Sequence, residues 1–328
     1  GTPAALPSFS KDLPQNRLGL AQWLIDKKNP LTTRVTVNRF WQQLFGIGLI
    51  KSPENFGVQS EVPIHPRLLD WLAVEFQESG WDVKQLMRIL VNSHTYRQSS
   101  RLSPELLEAD PTNRLLARGA RYRMPAWMIR DQALSASGLL VDKKGGAPVN
   151  SYQPEGIWAE ATFGKKRYSR GKADDLYRRS IYSFWRRIAA PPMFFDNPGR
   201  ETCSVEMSLT NTPLHALSTL NDTTYVEAAR ALAARAAASA EEGGQPAAQI
   251  KQAFQLVVAR NPTVEEQKVL ENIYNRAQVR FASDPGAAAN FLKNGDSPRN
   301  SELPEPEHAA LATVCLGILN LDEVLTKE

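Results

Sequence analysis

The chain has little with which to do obvious chemistry. Its four histidines, His65, His94, His215 and His308, are scattered, with no second His or Cys at ligand spacing, so a zinc site of the usual pattern is excluded. No C-x-x-C-H occurs, so this segment does not attach its own c-type haem. No nucleotide-binding or triad pattern is present, and no repeat of solenoid period runs through it. Apolar runs stop far short of the roughly 20 residues that cross a bilayer; ATVCLGILNL reads as a buried helix. The opening GTPAALPSFSKDLPQN is neither a signal nor a transit peptide. Cys203 and Cys315 are the only cysteines. Two readings stay open for them. One is a bridge closing a long loop, worth about 4 kcal/mol in the chain-entropy picture; the other is two buried thiols, with Cys315 on an apolar helix and Cys203 beside a polar loop.

What is present is ordinary globular material, 42% hydrophobic and 23% charged in 328 residues. That length exceeds one usual core, so either one large helical domain or a main body with a smaller C-terminal lobe is expected. A formal charge of +4 permits an anionic partner without demanding one.

The chain is organised around 29–100, which holds three of its seven Trp. Thr32 or Thr33 opens a first helix whose Val37, Phe40, Trp41 and Leu44 recur on one face, and Gly46 closes it. Pro66 sits at the first position of a second helix burying Leu68, Leu69, Leu72 and Phe76, with His65 bonding its free first-turn amides. A third starts from Asp82 and buries Val83, Leu86, Met87 and Leu90. The connection between the first two, rich in Gly and Pro, reads as ordered turns.

The segments NPLTTRVTVNRFWQQLFGIGLIKSPENFG, HPRLLDWLAVEF, SGW and TYRQSS resemble the signature of a planctomycete-specific domain of unknown function. The likeness extends more loosely through DPTNRLLARGARYR, IRDQALSASGLL, RRSIY and LSTLND, covering roughly residues 14 to 325. GRETCSVEMSLTNTP and Met124 to Trp127 depart from the family pattern. The resemblance implies the C-terminal part of a large exported protein, hence an extracytoplasmic setting. It also implies that any haem is carried by an upstream cytochrome-c-type domain, and it brings no catalytic residues with it.

Elsewhere, helices are expected over 14–28, 104–109, 124–137 and 212–220, then from Asp222 to about Ala240. EEGGQP reads as a hinge, followed by helices over 247–259, from the capping box Thr263-x-x-Glu266, and over 306–319. The fold expected is mainly α, a multi-helix bundle-like domain with a small β element in RRSIYSFWRR, near 178–187, and a long irregular insertion. Residues 1–240 form its main domain, with the insertion at 141–211, and 247–328 form a C-terminal helical lobe packing on it.

Two clusters are candidates for binding. The run from Lys165 to Arg187 interleaves cations, among them Arg167, Arg170, Arg178 and Arg179, with Tyr168, Tyr177, Tyr182 and Trp185. Arginine forks grip carboxylate or sulfate, and flat rings stack on the apolar faces of sugars or on bases. The competing reading is a solvated loop whose arginines pair with neighbouring carboxylates. The second cluster joins Asn38, Arg39 and Trp41 to His94, Tyr96 and Arg97, as a proton carrier with anion clamps or as a structural network at helix ends. Asp131, Asp196, Glu201 and Glu206 are the remaining carboxylates for acid–base work.

The function expected is an extracytoplasmic binding or scaffolding module that needs no cofactor of its own. It would present a basic, aromatic face to an anionic polysaccharide or to a haem-bearing partner domain. A polysaccharide hydrolase or lyase using a carboxylate, His94 or a Tyr is the rival. Nucleic acid comes third, because the charge excess is modest.

Overall fold

A computed structural model describes residues 2–186, 189–196, 204–205, 209–240 and 244–327. Fourteen α-helices and one two-strand sheet are found among them. No helix among the described residues is long and apolar enough to cross a membrane. The chain divides into two compact units, 1–122 and 123–327. Of the hinge expected at 241–246, residues 241–243 lie outside the described residues.

The first unit holds α1 (Arg17–Leu24), α2 (Pro30–Phe45), α3 (Pro66–Glu78), α4 (Val83–Asn92) and α5 (Pro104–Ala109). Local chemistry sets their ends. Asn29 caps α2 by accepting the Leu31 amide, so the helix starts at Pro30, ahead of the expected Thr32 or Thr33. Asp82 and Ser103 cap α4 and α5 as expected. Gly46 stops α2 at φ 76°, and a Cβ there would lie 2.8 Å from the Tyr122 ring. The core joins Val37, Trp41 and Phe45 of α2 to Leu69, Leu72 and Phe76 of α3 and Leu86 and Leu90 of α4. Val83, expected inside, is 41% exposed, because α4 turns its first residue away from that core.

Buried Asn38 ties the turn after α2 to the helix: its Oδ1 accepts the Ile50 amide at 2.9 Å and its Nδ2 donates to the Ile50 carbonyl at 3.0 Å. His65 does not cap α3. Its Nε2 lies 3.1 Å from the Arg114 carbonyl, so the ring is spent on a distant loop.

The short strand β1 (Tyr122–Arg123) pairs with β2 (Thr326–Lys327). The only regular β pairing among the described residues is therefore here. In 178–186 there are 3-10 turns and isolated bridges, Val141 with Arg178 and Val149 with Ser183. Arg187 lies outside the described residues.

Between the strands run α6 (Ala126–Ser137), α7 (Ile157–Ala161), α8 (Pro213–Asn221), α9 (Thr223–Ser239), α10 (Pro246–Val258), α11 (Val264–Ser283), α12 (Pro285–Leu292), α13 (Glu305–Ile318) and α14 (Asp322–Leu325). Helices α9 and α13 are buried nearly all round. Alanines at 228, 229, 233 and 236 of α9 and at 309, 310 and 312 of α13 let neighbouring backbones approach closely. Buried residues of α9, α10, α11 and α13 share one core, so the helices after 246 pack on α9. Cys315 is a fully buried thiol whose pKa burial pushes up; Cys203 lies outside the described residues.

Candidate functional site

The insertion is held in place by two buried arginines. Arg130 of α6, wholly buried, donates to the carbonyls of Leu176 at 2.8 Å and Arg178 at 2.9 Å and to Ser180 Oγ at 3.1 Å. Arg178 donates to the carbonyls of Lys143, Gly145 and Ala147 at 2.7, 2.6 and 3.2 Å, and its guanidinium lies 3.8 Å from the Tyr182 ring centroid. The Tyr182 hydroxyl in turn accepts the Gly145 amide. Both arginines thus satisfy backbone carbonyls of a loop too irregular to pair them internally.

A carboxylate does the same from the other side. Glu227 of α9, 1% exposed, accepts the Tyr177 hydroxyl at 2.8 Å and the Ser297 amide at 2.6 Å. The Tyr177 hydroxyl is pushed up to about 12, first by burial and then by Glu227. Tyr177, Arg178 and Tyr182, expected to bind a ligand, are therefore framework.

On this frame sits a cleft of about 890 Å³ within the second unit. Tyr152, Trp158 and Tyr168 give it aromatic walls, Arg167 and Arg170 a cationic rim, and Gln153, Glu155, Asn221 and Asp222 polar groups. Trp158 is fixed by donating to Gln153 Oε1 at 2.5 Å and packs on Tyr168 with centroids 5.3 Å apart. The Tyr168 hydroxyl donates to the Ser151 carbonyl at 2.6 Å, and the Tyr152 hydroxyl accepts the Asp296 amide at 2.8 Å. Burial raises both phenols above their ordinary value, the second further raised by Glu227, so neither is a base at neutral pH. Arg170 stacks 5.3 Å from the Tyr152 ring centroid and pairs with Asp296 at 3.0 Å, while 46% of its side chain stays exposed. Arg167 is exposed, and its side chain makes no hydrogen bond or ion pair among the described residues. Asp222 caps α9 through the Thr224 amide, and burial raises its carboxyl above the usual range despite that bond.

Of the expected basic set, the structure brings Arg167 and Arg170 to this cleft. Arg179 and Trp185 line a different groove with Asp131, and Arg179 Nε is 3.9 Å from Asp131 Oδ2. Sequence reasoning missed Tyr152, Trp158, Asn221 and Asp222. The stretch SYQPEGIW carries a usable signal, aromatic and polar residues interleaved in turns just before the basic run, whereas Asn221 and Asp222 come from a distant helix junction.

The second expected cluster does not converge. Arg39, His94 and Arg97 are exposed, with no hydrogen bond or ion pair linking them among the described residues. Tyr96 packs edge-on against Phe45, with centroids 5.6 Å apart. A small cavity of about 150 Å³ in the first unit is lined by Trp41, Phe45, His65, Arg114 and Tyr122, and by none of those four.

Among the carboxylates, Asp196 Oδ1 lies 3.6 Å from His215 Nε2, under a Phe195 ring stacked on the imidazole at 4.2 Å. Glu201 and Glu206 lie outside the described residues. No group of three or more His, Cys, Asp or Glu among the described residues is arranged to hold a metal ion.

Residues 16–274 match the profile of a family described as PSD1, protein of unknown function (DUF1553). No curated protein and no solved structure matches the chain.

Proposed function

The chain belongs to the PSD1 family of proteins of unknown function, and we propose that it is an extracytoplasmic binding module whose second unit takes a segment of anionic polysaccharide. The observation that carries this reading is the cleft in which the uncommitted Arg167 and the half-exposed Arg170 share walls with three aromatic rings and a row of amide and carboxylate groups. Aromatic faces suit the apolar faces of pyranose rings, and arginine forks suit uronate or sulfate groups spaced along the chain. Tyr152 and Trp158 are held by hydrogen bonds before a ligand arrives, which lowers the ordering cost of binding. The reading needs no cofactor, and a haem-bearing partner domain remains the other partner it accommodates.

One observation favours a hydrolase as the second reading: Asp222, with its raised carboxyl pKa, and the exposed Glu155 line the same cleft. Lyase chemistry through a tyrosine is disfavoured, because both phenols in the cleft are raised above neutral use and engaged with the backbone.

The test is affinity electrophoresis and calorimetry on uronate-bearing, sulfated and neutral polysaccharides. The purified chain is expected to bind the acidic ones, and Arg167→Ala to weaken binding about five- to tenfold, since its side chain is solvent-screened. Equal affinity for neutral and acidic glycans, or an unchanged Arg167→Ala, would sink the reading. Release of new reducing ends, abolished by Asp222→Asn, would decide for the hydrolase. Arg178→Ala is not diagnostic, because it unfastens the loop rather than the ligand.

A further inference from the structure

We propose a second ligand site on the same unit, a groove that takes a small aromatic monocarboxylate. Ser183 has an extended backbone and bridges to Val149. Phe184 and Arg186 pack on Trp158 of the cleft, with Phe184 6.1 Å and the Arg186 guanidinium 5.7 Å from its ring. Ser183 and Trp185 line a separate groove of about 480 Å³. That volume lies in the range that holds small organic ligands. Trp127, Trp185 and Phe194 give it three flat apolar surfaces, which favour an aromatic body by offset or edge contacts.

Its polar groups define the other end of the ligand. Asp131 Oδ1 is saturated by the Ser180 amide at 2.8 Å and hydroxyl at 2.6 Å, with Arg130 at 3.4 Å. Asp131 is thus held by the buried Arg130, and Arg179 is the arginine that lines the groove beside it. Arg179, 51% exposed and only 3.9 Å from the carboxylate at its nearest nitrogen, has the rest of its fork open for an anion. Ser183 is in the wall of the same groove, with its Oγ buried behind the surface. A single open arginine matches a monoanion, and the apolar walls exclude strongly hydrated inorganic ions.

The probes are benzoate, cinnamate and indole-3-acetate, with cinnamyl alcohol and acetate as controls, read by tryptophan fluorescence and calorimetry on the whole chain. Saturable one-to-one binding of at least one aromatic acid, and none of acetate, is expected. Arg179→Gln should weaken that acid by about ten- to a hundredfold while leaving the alcohol unchanged. Arg167→Ala, on the glycan cleft, should have no effect. Failure of all three acids to bind, equal binding of acid and alcohol, or an Arg179→Gln variant that binds like the wild type overturns the proposal. Since the arginine tested here is not the one tested in the cleft, the two readings fail separately.

Discussion

Replacing Asn38 by alanine should unfasten the turn that follows α2. The side chain is wholly buried and makes two hydrogen bonds to Ile50, itself 7% exposed, one to its amide and one to its carbonyl. Truncation leaves both backbone groups without their partners in a buried site, against which Gly48 is closely packed. Each orphaned group costs about 1–3 kcal/mol, so a loss of about 2–6 kcal/mol is expected, with a smaller addition from the cavity. Asn38→Asp separates hydrogen bonding from volume. It keeps an acceptor for the Ile50 amide but sets a carboxylate oxygen against the Ile50 carbonyl. The folded state would therefore raise the pKa of the introduced carboxyl, and the lost stability would return as pH falls through that raised value, when the protonated group can donate. Urea unfolding followed by circular dichroism gives the energy, and hydrogen exchange at the Ile50 amide gives the location. An alanine variant within about 0.5 kcal/mol of wild type, the scatter expected of a neutral surface change, with that amide still protected, would refute the reasoning.

Two further predictions concern charge. Glu266 is held at about 2 rather than 4.5 by hydrogen bonds from Arg260 and from the Thr263 amide, closing the capping box of α11. Its folded pKa lies below the unfolded one, so its contribution is complete above about pH 4.5 and disappears as pH falls towards 2. With the side chain 36% exposed, screening keeps that contribution near 1 kcal/mol. Glu266→Gln should flatten stability against pH across this window, and parallel curves for variant and wild type would count against it. Arg178→Lys should loosen 143–147, because an ammonium cannot reach three carbonyls in the geometry of the guanidinium fork. Faster exchange of the Gly145 amide, which depends on the Tyr182 hydroxyl beneath that fork, is the expected readout; unchanged exchange would count against the anchoring role of Arg178.

The amino-acid sequence by itself determined eleven of the fourteen helices and many of their ends, while the short α7, α12 and α14 went unread. Asp82, Ser103 and Thr263 accept first-turn amides, Pro66 needs no amide, and Gly46 and Gly138 close their helices with φ near 80°; all of these act within a few residues. What the tertiary structure alone decided was how each cation of the basic run is used. Arg167, Arg170, Arg178 and Arg179 look alike in sequence, yet two reach a cleft, one is consumed by loop carbonyls and one guards a separate groove. The same holds for the β element: RRSIYSFWRR has the composition of a strand, but it makes a 3-10 turn at Ser180–Tyr182 and Arg130 takes its Arg178 carbonyl. Hydrogen-bond partners far apart along the chain, such as Glu227 with Tyr177, leave no periodicity to read. Long-range burial, where an unpaired polar group is costly, therefore assigned the roles that local propensity left open.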